Sequence, residues 1–206
     1  MKLTKLVFTI YSVTIISCGQ VDPNKQIDEG RVKGEIYESK EIGWSIEIPK
    51  DWTIISKDKT EANDQKGKKA IEKSAGIQVD TKGLKHLISF QKNQFNIFAS
   101  TSELYKEETP GEYQQNNKAL NEIIYKTFVD QGIKLDSASG KEIIQGLEFN
   151  AFYTTIYTPD GKVILHQILY SRLINGYDFG VNINYNNEQD KKIMIDAWEK
   201  SKFTRK

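Results

Sequence analysis

Near the C-terminus three apolar-rich runs follow one another with only turn residues between them: Leu147–Tyr157, Val163–Ile174 and Tyr177–Tyr185. Thr158-Pro159-Asp160-Gly161 separates the first two and Asn175-Gly176 the last two. Asn-Gly between β-rich runs predicts a type I′ hairpin, because that turn needs positive φ at both central residues. Runs this close in sequence pair antiparallel. The two-residue turn pairs Ile174 with Tyr177 and sets Tyr170, Ile168 and His166 opposite Val181, Ile183 and Tyr185. Carried across the first turn, the same register adds Phe152 and Ile156 to that face. It assigns Leu147, Phe149, Ala151, Leu165, Leu169 and Leu173 to the other. Both faces are substantially apolar, so both need cover.

Upstream, Trp44, Ile46 and Ile48 alternate with Ser45 and Glu47, the period of a half-buried strand, and Glu35–Tyr37 is its natural partner. Pro49-Lys50-Asp51-Trp52 reads as a turn leading to a strand over Thr53–Ser56. Leu84–Gln91 and Gln94–Ser100 read as strands about Lys92-Asn93. Ile133–Asp136 and Glu142–Gln145 read as short strands flanking a turn at Ser137–Lys141. Three stretches carry helical spacing. Thr60–Ser74 is charged and weakened by Gly67. Glu112–Gln131 carries Tyr113, Leu120, Ile123, Ile124 and Phe128, with Gly132 at its C-cap. Asn187 caps a helix to about Ser201 with an apolar stripe of Ile193, Met194, Ala197 and Trp198. Helices available for both faces of a mostly antiparallel sheet predict an α/β/α sandwich of the mixed α/β (α+β) class.

The N-terminus changes the setting. Lys2 and Lys5 precede the uncharged, mostly apolar run Leu6–Ile16, and Ile15-Ile16-Ser17-Cys18 closes it with a small residue before the only cysteine. That is a signal-peptide layout, too short to span a bilayer. It resembles the bacterial lipobox, in which the cysteine becomes the acylated (palmitate-bearing) first residue. More than one acyl chain gives the two-signal anchoring that a single chain lacks. The expected organisation is therefore a signal peptide over 1–17, the lipidated Cys18 with a solvated tether to residue 34, and a domain over 35–206. Such a tether would reach about 20–25 Å on average. The location implied is the cell envelope, lipid-anchored. Gly19 after the cysteine resembles outer-membrane sorting in Gram-negative bacteria. Of 206 residues, 29 are Lys or Arg and 28 are Asp or Glu, and removing residues 1–17 leaves 27 bases against 28 acids. A balance that close points to no nucleic-acid partner. Lys66–Lys69 reads as a solvated helix face.

Trp44-Ser45-Ile46-Glu47-Ile48-Pro49, with Trp52 following, resembles the opening of PsbP-like domains. The close, a meander ending in Gly176-Tyr177-Asp178-Phe179 and a helix finishing at Ser201-Lys202-Phe203, is similar too. The resemblance spans about residues 35–204 and includes DcrB-type bacterial lipoproteins. It implies an accessory or binding protein rather than an enzyme and brings no catalytic motif to carry over; the expectation beside it is an envelope protein partner and no cofactor.

Candidate chemistry is sparse. Neither His86 nor His166 stands at zinc-ligand spacing, and there is no nucleophile elbow, P-loop or dinucleotide fingerprint. Both histidines read as hydrogen-bonded sheet residues. Asp136-Ser137-Ala138-Ser139-Gly140 lacks the alternating ligands and terminal Glu of a calcium loop and reads as a turn. The register above brings Tyr153, Gln167 and Asn184 into one cross-strand row, with Asn182 in the next and Gly180 beyond. These side chains could line a shallow polar pocket that binds rather than reacts. The expectation is a non-catalytic, metal-free binding module. The rival is a small envelope enzyme with a site built from loops, whose sign would be a histidine beside two carboxylates in a cleft. An exposed apolar patch would instead favour a binding module.

Overall fold

The computed structural model describes residues 22–204, and the signal-peptide segment and Cys18 lie outside them. The three-run meander forms as read: β8 (Leu147–Tyr157), β9 (Val163–Ile174) and β10 (Tyr177–Tyr185). Asn175 and Gly176 have φ of 53° and 82°, as a type I′ turn demands. Upstream lie β1 (Arg31–Lys33), β2 (Ile36–Ser39), β3 (Trp44–Glu47), β4 (Thr53–Ile54), β5 (Lys85–Gln91), β6 (Ile97–Leu104) and β7 (Lys134–Ile144). The helices are α1 (Lys57–Ala75), α2 (Glu112–Asp130) and α3 (Glu188–Glu199), and β11 (Lys202–Phe203) closes the fold.

Seven strands in the order β4-β5-β6-β10-β9-β8-β7 make one antiparallel sheet, and β1-β2-β3-β11 make a second. The strand pair at Trp44 therefore belongs to a separate small sheet. Helices do cover both faces of the large sheet, the small sheet joining α3 on one of them. That face holds the core. Trp198 of α3 lies within 5.2 Å of Phe149, 5.6 Å of Tyr170 and 6.0 Å of both Trp44 and Phe203, by ring centroids. Trp44 adds Phe179 at 5.0 Å and Tyr37 at 5.7 Å. Asn187 caps α3 by accepting from the Asp190 amide, and Met194 and Trp198 of the expected stripe are buried.

Three readings change. First, a bulge between Ile156 and Tyr157 leaves Ile164 unpaired, so Tyr157 faces Val163 but Ile156 faces Leu165. An extra residue flips every position beyond it. Phe149 and Ala151 therefore join Tyr170 and Ile168 on the core face, while Phe152 joins Leu169 on the other. Second, Lys134–Ile144 is one strand paired with β8 along its whole length. Asp136–Gly140 lies inside it, not in a turn. As an edge strand with mostly exposed side chains, it needs no apolar alternation. Third, residues 22–34 are not a free tether. Pro23–Lys25 forms a 3₁₀ turn, and the Asn24 side chain bonds both backbone groups of Val32 at 2.8 and 3.2 Å. The Glu29 carboxylate accepts from the Ser39 hydroxyl at 2.6 Å and the Lys40 amide at 2.9 Å.

Burial of the rings predicts the response to truncation. Trp198→Ala should cost about 3–5 kcal/mol, the range for a buried tryptophan, and leave much of a marginally stable domain unfolded. Trp52 is also buried but stacks edge-on against Phe90 alone, 5.8 Å away, so Trp52→Ala should fall near the lower end. Urea unfolding of both variants checks the order; a Trp198→Ala midpoint equal to wild type would contradict it.

Candidate functional site

The second face of the large sheet is not packed shut. β10 is its central strand, and its residues alternate strictly. Phe179, Val181, Ile183 and Tyr185 enter the core, while Asp178, Gly180, Asn182 and Asn184 line a cavity of about 620 Å³. Across that floor Gly180 lies beside Thr101 of β6 and Ser171 of β9, a row of small residues that makes room. A Cβ at Gly180 would meet Thr101 Oγ1 at 3.2 Å. α1 and α2 roof the space with Asn63, Asp64, Asn117, Asn121 and Ile124 among the lining. The roof is lightly packed: α1 buries no side chain, and α2 buries only Tyr113 and Thr127.

A second bulge shapes the wall. In β5 the register shifts between His86 and Ser89, so His86 pairs with Thr101 and Ser89 with Ala99. Ser100 fills the irregularity, its hydroxyl accepting from the Ile88 amide and donating to the Ile88 carbonyl. The extra residue lets His86 and Ser89, three apart, both face the cavity.

Of the expected pocket residues, Asn182 and Asn184 line this cavity. Gln167 donates to Asn184 Oδ1 at 3.1 Å and so orients it. Tyr153 is on the opposite face, flipped there by the Ile164 bulge, and its hydroxyl donates to Glu142. The Glu142 carboxylate also accepts from Tyr170 at 2.8 Å. His166 is 3.1 Å from the Thr155 hydroxyl and stacks on Tyr185, a satisfied sheet residue. His86 is different: its Nε2 lies 2.7 Å from Asp64 of α1. Asp28 is close too, but its carboxylate accepts from the His86 amide at 2.9 Å and pairs with Lys57 at 2.5 Å. Among the described residues Asp64 is the carboxylate paired with the ring. A shallower space of about 450 Å³ adjoins this cluster, between the start of α1 and β5.

Two carboxylates escaped the sequence reading. Asp178 and Glu103 are direct cross-strand partners on β10 and β6, and both line the cavity. Burial pushes the Asp178 carboxyl above its ordinary range, against one favourable contact, the Tyr113 hydroxyl donating at 2.8 Å. Glu103, at the exposed rim, is also raised, by partial desolvation and then by the charges of Asp178 and Asp80. The signal was present in β10, whose even positions are polar or glycine although the strand is central. Among the described residues no three His, Cys, Asp or Glu side chains are grouped to hold a metal ion. No described helix is long and apolar enough to cross a membrane.

No family model matches this sequence, and no curated protein does. Its fold is similar to the solution structure of cyanobacterial PsbP (CyanoP) from Synechocystis sp. PCC 6803, with a TM-score of 0.54 at 9% identity. The likeness covers 92% of this chain and 99% of that one, and it shows a PsbP-like fold.

The raised Asp178 carboxyl has a consequence for stability. A group held above its unfolded range binds its proton more tightly in the fold. Its contribution is complete below the unfolded value and is lost as pH rises through the folded one. At neutral pH the ionised Asp178 thus works against folding. Asp178→Asn keeps an acceptor for Tyr113, so it should melt a few degrees above wild type near pH 7, with the gap closing near pH 3. Thermal melts at both pH values check this; a lower melting temperature near pH 7 would refute it.

Proposed function

We propose that this chain is a non-catalytic binding module of the bacterial cell envelope, held at the membrane by acyl chains on Cys18, with its ligand in the cavity under α1 and α2. The cavity carries the reading. Its volume of about 620 Å³ falls within the usual span of ligand pockets, about 300–1,000 Å³. Its lining mixes apolar side chains such as Leu120, Phe152 and Leu169 with amides and carboxylates. Asn, Asp and Glu there supply hydrogen bonds but no activated nucleophile. The PsbP-like fold is compatible with an accessory role, and Tyr125 and Val129, exposed on α2, offer contact area to an envelope protein partner.

The anchor has a short reach in this reading. The ordered domain starts by Asp22, and four residue steps from Cys18 span at most about 14 Å. The domain would sit against the headgroups, and outer-membrane sorting through Gly19 would fix which membrane in a Gram-negative cell.

The rival enzyme reading is favoured by one observation, the His86–Asp64 pair at 2.7 Å on the cavity wall. A histidine oriented by a carboxylate is half of a base-and-nucleophile arrangement. Turnover of ester or amide probes that His86→Gln abolishes would establish it.

Labelling with a radioactive fatty acid should mark wild type and not Cys18→Ala; equal labelling would remove the anchor from this reading. For the cavity, native mass spectrometry of the protein released gently from its own membranes should show a bound small-molecule mass. Leu169→Trp, which fills the floor, should lose it. If both proteins carry the same mass, or neither carries any, the cavity is not the ligand site.

A further inference from the structure

We propose that the cavity under α1 and α2 takes a small organic cation, an amine or guanidine on an apolar body. The inference rests on the binding-module reading and names the class of ligand that site would hold.

The sign of the lining comes first. Asp64, Glu103 and Asp178 line the cavity, and among the described residues no lysine or arginine does. Its one basic group, His86, is bonded to Asp64 at 2.7 Å. Among the described residues no basic side chain lies within 4.0 Å of Asp178 or Glu103, and the nearby Lys85 is bonded to Glu41 at 2.6 Å. An anion entering here would meet three carboxylates and no answering charge.

Hydrogen-bonding chemistry points the same way. Asp178 and Glu103 stand directly opposite each other on adjacent strands. The Tyr113 hydroxyl occupies Oδ1 of Asp178 and leaves its second oxygen available. On the same floor, Asn182 has its Oδ1 buried with no hydrogen-bond partner. The free carboxylate oxygens and the buried, unpartnered Asn182 Oδ1 are all acceptors. An ammonium brings three donors and a guanidinium five, and neither brings an acceptor that would compete. A neutral polyol would satisfy acceptors but not charge. Both carboxyls hold their protons more tightly than usual, Asp178 through burial and Glu103 through burial and then the charges of Asp178 and Asp80, as acids without a counter-charge do. The cation needs an apolar body because Leu120, Ile124, Phe152 and Leu169 make much of the remaining wall.

The test uses the lipidated full chain in a neutral detergent, titrated calorimetrically with matched probes against a detergent blank. Tryptamine, tryptophol and indole-3-acetate share one body and differ in head-group charge; phenyl and hexyl counterparts repeat the comparison. The expected result is amine binding at least tenfold tighter than alcohol, with carboxylate weakest. Asp178→Asn should weaken the amine at least tenfold and the alcohol by a much smaller factor. Alcohol binding as tightly as amine, or carboxylate binding best, would overturn the cation and leave the cavity as a binding site. Amine binding that neither Asp178→Asn nor Glu103→Gln alters would place the amine elsewhere and also overturn it. No saturable binding by any probe would overturn this inference and the cavity reading together.

Discussion

The structure depends on the period-two alternation of one strand. β10 sits at the centre of the seven-stranded sheet with neighbours on both sides, so its side chains must go alternately up and down into two enclosed layers. Odd positions deliver Phe179, Val181 and Ile183 to the rings around Trp198. Even positions deliver Asp178, Gly180, Asn182 and Asn184 to the cavity. The Asn175-Gly176 turn fixes that phase, since a one-residue slip would exchange carboxylate and amides with the core. Asn175 is itself secured from outside, its amide donating to the Glu41 and Ile42 carbonyls of the turn between β2 and β3 at 3.2 and 3.0 Å.

The two faces solve opposite problems. The α3 side is filled with large rings, and burying them outweighs leaving the indole N–H groups of Trp44 and Trp198 without partners, a cost of about 1–3 kcal/mol each. The other side forgoes that gain. Gly180, Ala99, Thr101 and Ser171 are small where a packed sheet would carry leucine or isoleucine, and Asp178 brings a charge that burial disfavours. A fold optimised for stability alone would close this space. Placing the stability in one layer allows the other to stay open, and titratable groups perturbed by burial in a cleft make that open layer the candidate functional site.

Much of the fold was legible because its signals are local. The meander boundaries, the Asn-Gly turn, the Asn187 cap and the Met194–Trp198 stripe each follow from a few adjacent residues. The site was legible only in part, because two bulges set it. Ile164 and the Leu87–Ile88 irregularity each add a residue to one strand, and neither Val163-Ile164-Leu165 nor His86-Leu87-Ile88 carries a glycine or proline to announce it. The first moved Tyr153 off the pocket face; the second brought His86 onto it. Asn182 and Asn184 survived because their phase depends on the hairpin turn and not on either bulge. Asp178 was passed over for a different reason: as one residue of the Gly-Tyr-Asp-Phe close, it looked like part of a structural signature. The separate small sheet was illegible because β11 is two residues long, and its pairing with β3 closes over most of the chain.

How a ligand would reach the floor follows from what holds the roof. α1 buries no side chain, so the hydrophobic effect that fixes α3 contributes little to it. Its hold is polar and mostly at its ends: Lys57 to Asp28, Lys59 to Gln91 at 2.8 Å, and Ser74 to Asp130 at 2.5 Å. Between them, His86 and Asp64 close the side of the cavity. Contacts of this kind at partly exposed positions are each weak, since water competes for the same groups. Local opening is easiest where few apolar contacts must be broken, and here that place is the helix over the cavity. The same arrangement ties access to the N-terminal segment of the domain, because Asp28 and Gln26, which bond the first residue of α1, both belong to it. Whatever shifts that segment would therefore also loosen the start of the roof helix.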